Sequence, residues 1–250
     1  MIAGVRSRER VVTNDPVPRV HDGQRECLPG TSRDPGEVPH DVTLRVIQMN
    51  GTISSCGFAS GDRFVVGVWR ESPIGPTADV MWALPDGTRV LLAPDVETAE
   101  FVTSVYGFDE VRITDLSVTA SERHLRLTCD QLELRFAANG LSFALPPTPR
   151  WFTKYVERPV AYALMGVRTW GVSPTGVQEW YQARRCSFIT SARAAVDGVD
   201  LGEQRKLEPA CGFGFSESPP WPSIVEVRPS LGVTDSWIAE RRPRMVDTIW

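Results

Sequence analysis

From about Asp41 onward apolar residues recur at every second position, and the elements they predict are strands. Leu44 and Val46 begin the pattern, and Phe64-Val65-Val66-Gly67-Val68-Trp69 is a continuous apolar strand. Leu116-Val118-Ala120, Leu125-Leu127, Leu132-Leu134-Phe136 and Leu141-Phe143 alternate with Arg126, Glu133 and Arg135. Such alternation predicts a meander with one face in the core and one in water. Ala138-Asn139-Gly140-Leu141 reads as a two-residue hairpin turn, which would set Phe136 opposite Phe143 and Leu134 opposite Leu145. A second hairpin, Ala78 to Leu92, is predicted around Asp86-Gly87, with Trp82 opposite Leu91 and Met81 opposite Leu92. Both of its faces are apolar, so each must be covered by a helix, a second sheet or a partner subunit. Asp197-Gly198 is a further turn signal.

One helix interrupts the strands. Asp95 after Pro94 is a suitable N-cap, Glu97 puts acidic charge in the first turn, and Ala99, Val102, Val105 and Tyr106 form a stripe that Gly107 ends. Trp151 to Met165 predicts a short helix running into a strand at Pro159. The strand pattern returns over Val167 to Val172, Gln178 to Thr190, Ala192 to Val196 and Ser223 to Val227. The fold expected is mainly β (α+β): an antiparallel, closed or nearly closed β-barrel, or two packed sheets, with one or two covering helices. Residues 1–40, punctuated by Pro16, Pro18, Pro29, Pro35 and Pro39, predict a disordered segment. Residues 41–230 predict a single β-rich domain, and 231–250 a tail with a short helix.

Composition narrows the function classes. The net charge of −4 predicts no basic stripe able to neutralise a run of phosphates, which argues against nucleic acid as partner. No stretch approaches the ~20 apolar residues of a membrane span. The five cysteines have neither Cys-x-x-Cys nor zinc spacing, and the expectation is free thiols in a soluble, cytoplasmic protein. Three dispersed histidines leave little material for a metal centre, and no metal or cofactor is expected; His124 reads as a solvated turn residue.

Of the 27 Lys and Arg residues only Lys154 and Lys206 are lysines. Lys154 stands among aromatics in Trp151-Phe152-Thr153-Lys154-Tyr155. A lysine desolvated by rings holds its proton less tightly, and its neutral amine can attack a carbonyl to form a Schiff base. The run Gln178 to Arg185 offers a second site. Read as one strand, it places Glu179, Tyr181 and Arg185 on one face and Trp180 and Arg184 on the other. Such a row suits a ligand cavity, with ring area for affinity and a guanidinium to pair with a carboxylate. Gly212-Phe213-Gly214-Phe215 lacks phosphate-loop spacing, and its glycines read as places of close backbone approach.

The loop Ser72-Pro73-Ile74-Gly75-Pro76 running into Ala78-Asp79-Val80-Met81, with long strands around one covering helix, resembles the acetoacetate-decarboxylase-like β-barrels over residues 60–105. The resemblance implies a cavity with a catalytic lysine that forms a Schiff base with a small oxo acid. The family's Pro-Lys-Lys context is absent, and Lys154 stands in Phe-Thr-Lys-Tyr instead. Three functions follow as expectations. The first is a protein binding a small, partly apolar, anionic molecule through Glu179, Trp180, Tyr181, Arg184 and Arg185. The second is a lyase built on Lys154. The third is a homodimeric interaction protein joined through residues 78–92.

Overall fold

The computed structural model describes residues 44–140, 142–144, 170–172, 177–214 and 218–237, all within one compact unit. Strands β1 (Leu44–Gln48), β2 (Asn50–Phe58), β3 (Arg63–Glu71), β4 (Thr77–Ala83) and β5 (Arg89–Ala93) lead into helix α1 (Val96–Thr103) and β6 (Glu110–Ile113). The meander β7 (Ser117–Ala120), β8 (His124–Thr128) and β9 (Leu132–Ala137) follows. After it come β10 (Ser142–Ala144), β11 (Trp170–Val172), β12 (Gln178–Trp180) and β13 (Ala183–Phe188). The last strands are β14 (Ser191–Val196), β15 (Val199–Asp200), β16 (Gln204–Arg205), β17 (Ser223–Val227) and β18 (Ser230–Thr234).

The strands form three sheets. The central one runs β10-β13-β17-β2-β3-β4-β5-β6, with β16 joined to β2; the others run β1-β18-β12-β11 and β15-β14-β9-β8-β7. None closes on itself among the described residues, so the expected antiparallel β fold takes the form of packed open sheets. The pair β5–β6 is parallel, and α1 is the crossover that a parallel pair requires.

The central sheet is apolar on both faces because both are covered. On one side Val65, Met81, Leu91 and Ala93 pack with Ala99, Phe101 and Val102 of α1 and with Leu231 and Val233 of β18. On the other, Phe64, Val66, Val80, Trp82, Val90 and Leu92 pack with Leu125, Leu127, Leu134 and Phe136 of the meander sheet. The hairpin over residues 78–92 therefore has no bare apolar face. Its covering comes from within the chain, which removes the ground for a homodimer through it.

Two hairpins differ from expectation. Around Asp86-Gly87 the register is one residue away from that read in the sequence: Met81 faces Leu91 and Trp82 faces Val90. Pro85-Asp86-Gly87 forms a three-residue loop in which Gly87 N–H donates to Leu84 O at 3.0 Å and Gly87 takes φ +92°. Proline pre-sets the first turn position and glycine fills the left-handed one, so the longer loop wins over a two-residue turn.

The Asn139-Gly140 hairpin is absent. Strand β9 pairs with β8 on one edge and β14 on the other, while β10 pairs with β13. Neither Asn139 nor Gly140 has a positive φ; Asp197 and Gly198, at +49° and +78°, do form the expected tight turn.

Candidate functional site

Two strand-borne carboxyls and two phenols meet in the interior between β4, the end of α1 and β12. Asp79 of β4 and Glu179 of β12 are both 0% exposed. Trp69 Nε1 donates to Asp79 Oδ1 at 2.9 Å. Tyr106 Oη donates to Glu179 Oε2 at 3.1 Å and shares a hydrogen bond with Tyr181 Oη. The second oxygen of each carboxyl, Asp79 Oδ2 and Glu179 Oε1, is buried without a hydrogen-bond partner. A buried polar atom left unpaired is costly, so these two oxygens mark the place where a further group would be stabilised.

Local sequence explains the assembly. Gly67 lies opposite Asp79 across β3 and β4. A Cβ at Gly67 would sit 2.6 Å from Asp79 Oδ1 and 2.7 Å from Trp69 Nε1, so the Trp–Asp hydrogen bond needs glycine there. Gly214 serves Tyr106 in the same way, since a Cβ there would sit 2.7 Å from the ring. This is the close approach expected of the Gly212–Gly214 alternation.

Burial sets the proton affinities. Desolvation pushes Asp79 up to about 7, partly offset by the Trp69 hydrogen bond. Desolvation pushes Glu179 up to about 8, against the lowering effect of hydrogen bonds from Tyr106 and Tyr181. Both phenols are raised well above the ordinary tyrosine range, by burial first and by the Glu179 charge second. The group is thus two carboxyls that exchange protons near neutrality, beside two phenols that keep theirs. Such a set can donate to, accept from or exchange a proton with a bound group.

A cavity of about 20 Å³ adjoins Asp79, Tyr106 and Tyr181, with Met49, Met81, Phe101 and Leu231 among its walls. It is the size of roughly one water molecule. Glu179 stands one hydrogen bond behind it, through Tyr106.

Of the residues proposed from sequence, the fold brings Glu179 and Tyr181 together. It separates the others, because Gln178 to Arg185 is not one strand: β12 belongs to the β1-β18-β12-β11 sheet and β13 to the central sheet. Trp180, which alternates away from Glu179, lies over Gly232. Arg184 falls at the irregularity between Ala183 and Arg185, and Arg185 Nε lies 3.5 Å from Glu122 Oε2. Lys154, the Trp151 to Met165 segment, Leu145 and residues 1–40 lie outside the described residues.

The 231–250 boundary also changes, for β18 pairs with both β1 and β12. Of the residues that meet here, Asp79, Tyr106 and Trp69 form no recognisable motif in the sequence. Asp79 carried a signal, a lone carboxylate in a strand apolar on both faces.

Among the described residues no group of His, Cys, Asp and Glu could hold a metal ion, and no helix is long and apolar enough to cross a membrane. Cys56, Cys129, Cys186 and Cys211 are free thiols. No protein-family model matches the chain, and no curated protein matches it. Among solved structures the chain faintly resembles acetoacetate decarboxylases. One match has 9% identity and a TM-score of 0.36, covering 76% of this chain and 85% of that one. The acetoacetate decarboxylase of Legionella pneumophila subsp. pneumophila str. Philadelphia 1 has 8% identity and a TM-score of 0.37, covering 83% and 98%.

Proposed function

We propose that the protein binds a small molecule in its interior, with a neutral or protonated hydroxyl or amine head group held between Asp79 and Tyr181. The observation that carries this reading is the pair of buried carboxyl oxygens, Asp79 Oδ2 and Glu179 Oε1, left without partners beside or just behind the cavity. A hydroxyl or amine donates to such an oxygen when the carboxyl is ionised, and a hydroxyl or neutral amine accepts from it when the carboxyl is protonated.

An anionic head group fits poorly. Two carboxyls flank the place, and the guanidinium of Arg185, expected to pair with a ligand carboxylate, lies beside Glu122 instead. The apolar remainder of the ligand would lie against Met49, Met81 and Phe101. Methionine side chains repack readily, so a cavity about the size of one water can enlarge around a tail.

Thermal unfolding in the presence of primary amines, alcohols and carboxylic acids of equal chain length tests the reading. Amines and alcohols are expected to raise the Tm in a dose-dependent way, acids are not, and Asp79→Asn removes the response to amines. If no class shifts the Tm, or acids shift it as much as amines, the reading fails.

A further inference from the structure

The outer face of the β15-β14-β9-β8-β7 sheet carries a row that no linear motif announces. Register sets Thr119 opposite Arg126, Arg126 opposite Arg135, and Arg135 opposite Arg193. Three arginines thus stand side by side on three adjacent strands, all exposed to solvent. Neighbouring strands are ~4.8 Å apart, so the row spans about 10 Å. Like charges directly opposite one another across strands repel. Arg135 has one ion pair, a long one of 3.7 Å to Glu133, and both side chains of that pair are more than half exposed. Arg126 and Arg193 have none among the described residues.

The next row holds His124 opposite Ala137, and Ala137 opposite Ser191. Its small residues leave a depression beside the guanidinium stems. Together the two rows line a surface groove of about 310 Å³, with Ser121 and Thr119 at its rim. The groove therefore offers guanidinium forks, hydroxyls and an imidazole; Glu133 sits in the row on the far side of the arginines, and Glu122, next to Ser121, pairs with Arg185.

We propose that this groove binds a short phosphate chain of triphosphate length. Three guanidinium groups in a line, relieved only by one long and exposed ion pair at Arg135, are a repulsive arrangement that a multivalent anion resolves. Guanidinium forks fit phosphate oxygens in pairs, and a linear chain of phosphates presents its charge along one line, as the row does. A single phosphate covers only part of the row, which spans roughly 10 Å. A nucleic-acid strand would continue past both ends of the row, where, among the described residues, Thr119 is uncharged and the β15 residues Val199 and Asp200 are not cations.

Calorimetric titration of the full chain with inorganic tripolyphosphate, at about 50 mM and about 200 mM salt, tests the proposal. One-to-one binding is expected, falling steeply with salt. Arg135→Gln, at the centre of the row, is expected to weaken it about tenfold or more and to flatten the salt dependence; Arg126→Gln acts in the same direction. Arg228→Gln, an exposed arginine elsewhere on the molecule, leaves binding unchanged. Orthophosphate binds about tenfold more weakly than tripolyphosphate. The melting temperature of Arg135→Gln, equal to or above that of the parent, shows that lost binding is not lost folding. Tripolyphosphate that does not bind, or binds Arg135→Gln as it binds the parent, overturns the proposal. A single-stranded oligonucleotide that binds more tightly than tripolyphosphate overturns it in favour of a nucleic-acid surface.

Discussion

Asp79 and Glu179 hold their protons more tightly in the folded chain than carboxyls do in water, at about 7 and about 8. Between an ordinary carboxylate pKa and those values the folded state therefore carries protons that the unfolded state has released. Stability falls with rising pH wherever the folded state binds more protons. The contribution of these two residues is fully present below about pH 4, is lost as pH rises toward about 8, and levels off above that. The exposed Arg89–Asp109 pair works in the other direction. The hydrogen bond from Arg89 lowers Asp109 to about 2, so its smaller contribution is lost only in strong acid. Unfolding free energies from urea titrations should fall between about pH 5 and about pH 8 by an amount on the order of a few kcal/mol. Glu179→Gln keeps an oxygen for the Tyr106 hydroxyl and cannot ionise, so it should flatten the slope, as should Asp79→Asn. An unchanged slope in both variants would show that the two carboxyls do not titrate as their burial requires.

At the scale of elements, α1 has a well-defined start. Asp95 Oδ1 accepts from Thr98 N–H at 2.7 Å, and Thr98 Oγ1 shares a 2.8 Å hydrogen bond with Thr77 Oγ1 of β4. The cap thus anchors the helix that covers one face of the central sheet and presents Tyr106 to Glu179. Replacing Asp95 by alanine should cost about 0.5–2 kcal/mol, read as a lower urea midpoint at unchanged m, while Asp95→Asn recovers most of it. Turn chemistry was equally legible where nothing competed: Asp197-Gly198 and Pro85-Asp86-Gly87 both form turns. Asn139-Gly140 does not, because both edges of β9 are taken. Ala137 O accepts from Thr190 N–H at 2.8 Å, and Ala138 N–H donates to Arg123 O at 2.7 Å. A local turn preference of a kilocalorie or so yields to two full ladders of sheet hydrogen bonds and the burial of Leu134 and Phe136.

For the whole molecule, the double covering of the central sheet makes its two faces equally critical. Leu91 and Leu92 are adjacent in β5, both 0% exposed, and belong to opposite cores. Leu91→Ala and Leu92→Ala should each cost about 2–5 kcal/mol. Because both cores are filled from within the chain, neither cost should vary with protein concentration over about a hundredfold range, as equilibrium denaturation can establish. A cost that grew on dilution for one variant alone would return that face to an intermolecular role.

The alternation of apolar residues, the capped helix and the turn residues determined a mainly antiparallel β fold with a covering helix, because those signals act between neighbours along the chain. An apolar run such as Phe64 to Trp69 also disclosed that a strand is buried on both sides, though not by what. Tertiary structure alone decided which strands pair, that Gln178 to Arg185 divides between two sheets, and that Glu179 meets Tyr106 across 73 residues. It likewise aligned Arg126, Arg135 and Arg193 into one row. Pairing between distant strands rests on the summed burial and hydrogen bonding of whole sheets, a quantity that no local pattern of residues contains.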